Sequence, residues 1–383
     1  MTSIRENIRR LFEPSQPLPP GTYHYQAPPE DPDDYRLHLR LEPDGTGLLI
    51  INASTVLHLN QTAAEYAYYL VQNLPEEQAV KKITFRYRIS KEQARQDYHD
   101  FVERVDTLIA TPDLDPVTYL GFERTEPFPA GISAPYRLDC ALTYRLLEEL
   151  PSGAAPVERV ERELETDEWK TVLDKAWTAG IPHIVFTGGE PTLREDLLEL
   201  IEYAEAHGQV TGLMTDGLRL AESDYMKALL QTGLDHLTMI FQPEIEAEWV
   251  ALEKALAEDI FVAVHLTITA ENSAGIQALL QRLAEMGVKA ISLSASSPAL
   301  SEALQEAREF EASLNVELIW NLPVPYSVLN PVSLETEGQE QIEGAGRAWM
   351  YVEPDGDVLP SQGIQRSLGN LLRDPWDQIW KQG

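Results

Sequence analysis

The chain reads as an α/β protein of two folded parts, and three observations carry that reading. Apolar, strand-like runs recur at 137–142, 183–187, 210–215, 236–241, 261–268 and 289–295. Helical patterns such as Asp196–Ala206 and Ile276–Met286 separate them, and repeated strand–helix units imply parallel strands with helices outside. Ahead of this array, residues 35–110 hold three short strands followed by three helices. Between the two parts, residues 111–135 contain Pro112, Pro116, Pro127, Pro129 and Pro135 with little apolar periodicity, the signature of a linker. Periodicity alone leaves open whether the second part is a closed eight-fold barrel or an open one.

Composition narrows the class of function. The 383 residues carry a net charge of −32, most of it beyond residue 110, where 18 Lys and Arg face 46 Asp and Glu. Such a surface repels phosphate backbones and anionic lipid, so neither nucleic acid nor a membrane surface is expected as partner. No 18-residue apolar window exists, and the first residues lack a signal-peptide apolar stretch, so the expected location is cytoplasmic. One cysteine, Cys140, excludes an intramolecular disulfide framework and an all-cysteine zinc site.

In chain order, residues 14–34 are rich in Pro and Asp, so residues 1–34 read as a flexible lead-in, with folded structure starting at Tyr35. Leu37, Leu39 and Leu41 alternate with Arg36, His38 and Arg40, the period of a half-buried strand. Pro43-Asp44-Gly45 turns the chain into Leu48–Ile51, and Val56–Leu59 completes a small antiparallel sheet. Asn60 can cap the next helix, where Thr62 and Glu65 also have capping-box spacing; the last helix opens at Ser90 with Gln93 three residues on.

In the second part, Ile184-Val185-Phe186 runs into Thr187-Gly188-Gly189-Glu190-Pro191 at the carboxyl end of a predicted strand, where ligands of parallel α/β structures gather. A diglycine lets backbone approach a ligand closely, and the carboxylate beside it can grip an ammonium group. The same carboxylate, at a helix N-terminus, is stabilised by the macrodipole by about 0.3–1 kcal/mol, so two roles stay open. Thr192 and Glu195 have capping-box spacing at the following helix, and Thr215-Asp216-Gly217 ends the next strand. Cys140, His183, His236 and His265 lie along strands without metal-ligand spacing and read as core or surface residues.

These segments resemble radical S-adenosylmethionine (SAM) enzymes. The resemblance rests on Leu142-Thr143-Tyr144-Arg145, Gly188-Gly189-Glu190 and Thr215-Asp216-Gly217, and it implies a partial (β/α)6 barrel in which Gly188, Gly189, Glu190, Thr215, Asp216 and Gly217 face the SAM site. The family also holds a [4Fe–4S] cluster on three thiolates. Here the aligned positions are Leu146, Leu150 and Gly153, and Leu146–Leu150 reads as an amphipathic helix. After the fourth strand, Gln242-Pro243 replaces the family's polar turn.

Residues 326–383 resemble a SPASM extension, through Gly344-Ala345-Gly346-Arg347, Trp349–Glu353, the turn Pro354-Asp355-Gly356 and Leu368–Leu371. Glu343 and Ser361 stand where that family has cluster cysteines. Residues 35–110 resemble the PqqD-like peptide-recognition element of ribosomal peptide maturation. This resemblance implies a leader or precursor peptide added beside the third strand and against the third helix, near Val56, Leu57, Leu59, Arg95 and Tyr98.

The resulting expectation is a barrel at 136–325 that scaffolds peptide maturation without catalysing it, holding no iron–sulfur cluster and pairing with an active maturation enzyme. A SAM-binding enzyme doing polar, cluster-independent chemistry is the alternative.

Overall fold

The structure, a computed structural model, describes residues 18–28, 30–33, 35–53, 55–111, 114, 119, 132–146, 153–314, 316–319, 322–335 and 344–383. It divides into two compact units, Met1–Ser133 and Ala134–Gly383.

The first unit is built on a four-stranded antiparallel sheet in the order β1 (Gly21–Gln26), β2 (Arg36–Leu41), β3 (Gly47–Ile51), β4 (Thr55–Leu59). Three helices follow: α1 (Gln61–Val71), α2 (Glu76–Tyr87) and α3 (Lys91–Ala110). Leu37, Leu39, Leu49, Ile51, Leu57 and Leu59 form one core with Ala64, Ala67 and Val71 of α1 and Val105, Leu108 and Ile109 of α3. The strand register, Leu39 opposite Leu49 and Leu49 opposite Leu57, keeps these side chains on one face, as the period of two requires.

Two sequence expectations are corrected here. Folded structure starts before Tyr35: β1 lies inside the expected lead-in and pairs with β2, Tyr23 opposite Leu39. Its Tyr23 and Tyr25 alternate onto the core, Tyr23 meeting Tyr68 edge-on at 4.9 Å, while flanking prolines give the segment a linker's composition. The capping box at Thr62 and Glu65 is also absent. Asn60 alone caps α1, accepting from the backbone N–H groups of Thr62 and Ala63. Glu65 instead turns inward, accepting from the hydroxyls of Tyr69 and Tyr87 and pairing with Arg86 at 2.7 Å.

The second unit carries one sheet in the order β11-β10-β9-β8-β7-β6-β5-β12-β13-β14. Strands β5 (Arg137–Thr143), β6 (His183–Gly188), β7 (Val210–Thr215), β8 (His236–Phe241), β9 (Phe261–Ile268), β10 (Ala290–Ala295) and β11 (Glu317–Ile319) are parallel. They are apolar almost throughout because both faces are covered. Connecting helices α4 (Thr166–Ala179), α5 (Leu197–Ala206), α6 (Ser223–Gln231), α7 (Glu246–Leu256), α8 (Ile276–Met286) and α9 (Ser301–Glu311) complete an open, partial barrel.

The C-terminal stretch extends the same sheet. Strand β12 (Trp349–Val352) lies parallel to β5, and β13 (Asp357–Leu359) and β14 (Gly369–Asn370) follow antiparallel. The turn at Pro354-Asp355-Gly356 is closed by Gly356 N–H donating to Glu353 O at 2.8 Å, with α10 (Trp376–Trp380) ending the unit. Among the described residues, no helix is long and apolar enough to cross a membrane.

Candidate functional site

The turn after β6 explains its own sequence. A Cβ at Gly188 would lie 2.2 Å from Thr143 O, and one at Gly189 would lie 2.3 Å from Arg145 O. Gly188 also has φ +131°, a region that L side chains rarely adopt. The close approach belongs to the chain's own 143–145 segment: Gly189 N–H donates to Thr143 O at 2.7 Å and Glu190 N–H to Arg145 O at 2.8 Å.

Glu190 is the hub that joins β6 to β7. It is 2% exposed. Its Oε1 accepts from Thr192 N–H at 2.9 Å, from the Thr192 hydroxyl at 2.5 Å and from the Thr215 hydroxyl at 2.8 Å. Its Oε2 accepts from Asp216 N–H at 2.8 Å. Gly217 N–H in turn donates to Thr215 Oγ1 at 3.1 Å. The carboxyl ends of the two strands are thus tied through one carboxylate, and Glu190, Thr215 and Asp216 form a single cluster. Burial, followed by the neighbouring Asp216, raises the Glu190 carboxyl above the usual range, against the hydrogen bonds from Thr192 and Asp216 N–H.

The expected capping box at Thr192 and Glu195 is not formed. The Thr192 hydroxyl is spent on Glu190, a single 3-10 turn at Pro191–Leu193 intervenes, and α5 starts only at Leu197. Asp196, at its boundary, accepts instead from Arg194 and Thr166.

A third carboxyl completes this end of the barrel and was not singled out from sequence. Glu248, in the first turn of α7, is fully buried, and its Oε2 accepts from Gln242 N–H at 2.6 Å. Burial, with Asp216, Glu244 and Glu190 adding to it, pushes its carboxyl up to about 8. The visible signal was Glu246 and Glu248 opening a predicted helix, which reads as surface charge until packing is known. Elsewhere in the barrel desolvation pushes the half-buried His236 and the buried His265 down to about 4, so both stay neutral at pH 7.

These shifts oppose each other. A carboxyl raised in the fold favours it at low pH, a contribution lost as pH climbs from about 4.5 to about 8; the two imidazoles favour the fold above about 6.5, a contribution lost as pH falls towards 4. Thermal stability against pH is therefore expected to form a dome with its maximum between about pH 5 and 6.5. Glu248→Gln should flatten the alkaline limb, gaining about 2 kcal/mol at pH 8, as read by denaturant melts at several pH values.

The histidines behave partly as the sequence suggested. His183 and His236 meet Nε2 to Nε2 at 2.7 Å, a hydrogen bond between strands that spacing alone did not show. His265 bonds the hydroxyls of Ser292 and Ser294, each at 3.0 Å. Among the described residues, no group of three or more His, Cys, Asp and Glu side chains can hold a metal ion.

Beyond His265 opens a cavity of about 480 Å³, lined by Ser292, Ser294, Arg308, Tyr326 and Gln362 among others. One wall is an ion-pair network that the sequence did not reveal. Glu335 accepts from Arg159 at 2.8 Å, from Gln365 at 3.0 Å and from the Tyr326 hydroxyl, while the Tyr144 hydroxyl donates to Glu353 at 3.0 Å.

The donor set does not fit an iron–sulfur cluster. Cys140 is the chain's one thiol, fully buried inside β5 and held protonated by burial. Leu146 and Gly153 offer no ligand atom; Leu150 and Glu343 lie outside the described residues. Ser361 is buried at the end of the hairpin. The fit to an amino group is also poor, since Glu190 already receives four internal donors.

In the first unit, β4 is an edge of the sheet, with β3 as its one neighbour among the described residues. Leu57 and Leu59 point into the core shared with α1 and α3. Tyr98 is buried between the helices, edge-on to Tyr66 at 5.9 Å. Val56 is half-buried, and Arg95 is exposed and paired with Glu76 at 3.1 Å. The five residues therefore do not converge on one surface.

Residues 140–242, within the second unit, match the Radical SAM superfamily. Over 113 residues the chain is 37% identical to PqqA peptide cyclase of Granulibacter bethesdensis, a stretch covering 29% of this chain and 30% of that protein. The fold is similar to that of SuiB of Streptococcus suis. Its structure bound to S-adenosylmethionine superposes with a TM-score of 0.59 at 16% identity, covering 93% of this chain and 88% of that one. SuiB bound to its precursor peptide SuiA gives a TM-score of 0.58 at 17% identity, with the same coverage.

Proposed function

We propose that this protein is a non-catalytic relative of radical SAM peptide-maturation enzymes, binding a precursor peptide through a PqqD-like first unit and acting as scaffold beside an active enzyme. The observation that carries the reading is a Radical SAM domain whose chain holds one buried cysteine. Three thiolates are the minimum that the family's chemistry asks of the protein. The β4 edge supports the peptide half of the reading, because an unpaired strand presents a row of backbone groups that an extended peptide can satisfy. That SuiB, with a similar fold, has been seen with its precursor peptide favours the same use.

Anaerobic reconstitution of the full chain with iron and sulfide, followed by metal analysis and a reduced assay for cleavage of SAM, tests the reading. Substoichiometric iron and no cleavage are expected. One cluster per chain would overturn the non-catalytic role. Calorimetric titration with SAM belongs in the same experiment: binding that Glu190→Ala abolishes without loss of fold would move the reading to polar chemistry on a SAM-binding barrel.

A further inference from the structure

The first unit holds a surface that neither the Radical SAM domain nor the β4 edge accounts for. Phe85 on α2 is 81% exposed, far more than any other large apolar side chain among the described residues. Lys81 and Lys82 precede it by four and three residues, so both stand on its face of the helix, and all three are exposed. The helix turns its other face inward through Ala79, Val80 and Ile83. Arg88 ends α2 in the left-handed region, φ 55°, and exposed Lys91 opens α3 three residues later.

Charge separates this corner from the rest of the molecule. Residues 81–95 hold six Lys and Arg against one Glu, leaving 24 cations against 61 anions elsewhere. Of the six, Arg86 is paired with Glu65 and Arg95 with Glu76. Lys82 Nζ stands 5.8 Å from the centre of the Tyr69 ring and, like Lys81 and Lys91, stays exposed to water beside Phe85. A phenyl ring exposed to this extent and flanked by exposed lysines combines an apolar anchor with local positive charge, the two features that a peptide contact uses.

We propose that the Phe85 face of α2 docks an acidic peptide segment that carries an apolar anchor for the phenyl ring. Opposite charge favours an acidic occupant over a neutral or basic one. A nucleic acid is the weaker fit, because its dense, continuous charge meets the field of the whole −32 chain, whereas a short peptide with a few carboxylates meets mainly the local lysines. This seat is on α2, not on β4, so it adds a second contact to the peptide-binding reading and does not depend on the strand-addition site.

Selection of a random short-peptide display library on the immobilised full chain tests it. The expected enriched pool is net acidic with at least one large apolar residue. A peptide synthesised from it should bind about tenfold more weakly to Phe85→Ala and to the double variant Lys81→Glu, Lys82→Glu, with unchanged melting temperature. Val56→Pro, which disturbs β4 at the position opposite Ile50 of β3, should change its affinity less than about twofold in protein that keeps the parent melting temperature.

A pool that is basic or neutral, no enrichment, or an acidic pool insensitive to Phe85 and the lysines would each overturn the docking seat. So would loss of binding on Val56→Pro alone, which would leave the β4 reading standing. Phe85-dependent binding of a DNA duplex, or a Phe85-dependent dimer of the chain by light scattering, would reassign the surface.

Discussion

Gly189→Ala is expected to destabilise the C-terminal unit by about 4 kcal/mol, a large share of the about 5–15 kcal/mol that holds an ordinary domain folded. The added Cβ would lie 2.3 Å from Arg145 O and 2.9 Å from Tyr144 C, both backbone atoms that no rotamer change can move. Overpacking of this kind costs about 1–3 kcal/mol where side chains yield, and more where two chain segments must separate. Separation would also break the bonds from Gly189 N–H to Thr143 O and from Glu190 N–H to Arg145 O, about 1 kcal/mol each. Gly275→Ala, whose Cβ would meet open space, should stay within about 0.5 kcal/mol and serves as control. Urea melts of the two variants decide the matter. Equal midpoints would mean that the 143–145 segment does not pack on the turn.

Glu190→Gln should cost about 2–4 kcal/mol, although the side chain keeps its shape. Three donors converge on Oε1 and one on Oε2, and the backbone N–H groups of Thr192 and Asp216 can only donate. An amide nitrogen placed at Oε1 would face Thr192 N–H, and placed at Oε2 it would face Asp216 N–H, so in either orientation one buried backbone donor loses its acceptor. Thr215→Val removes one of those donors and should cost about 1 kcal/mol alone. Combined with Glu190→Gln it should cost less than the sum, a coupling of at least about 0.5 kcal/mol in a double-mutant cycle. A fully stable Glu190→Gln protein would contradict the hub and favour a carboxylate reserved for a cationic ligand.

Much of the barrel was legible beforehand. Strands β7, β8 and β9 begin and end where the apolar runs 210–215, 236–241 and 261–268 do, because strands covered on both faces need continuous apolar sequence. β1 was hidden by its surroundings: composition weighs Pro19, Pro20 and Pro28 as heavily as Tyr23 and Tyr25, although only the tyrosines pack. The turn at Gly188-Gly189 was legible as a close approach, but what approaches was not. A ligand and the chain's own backbone ask the same of glycine.

By itself the sequence determined the parallel α/β architecture, the acidity of the C-terminal part and the supply of thiolates, since no folding can add a cysteine to a chain that has one. The tertiary structure alone decided where the donors go. It brought Thr192, Thr215 and Asp216 onto Glu190, placed β12 beside β5 across more than 200 residues of chain, and left Phe85 among lysines in water. Periodicity reports which side of an element is buried. Partners distant in sequence are fixed only when strands take their order in the sheet.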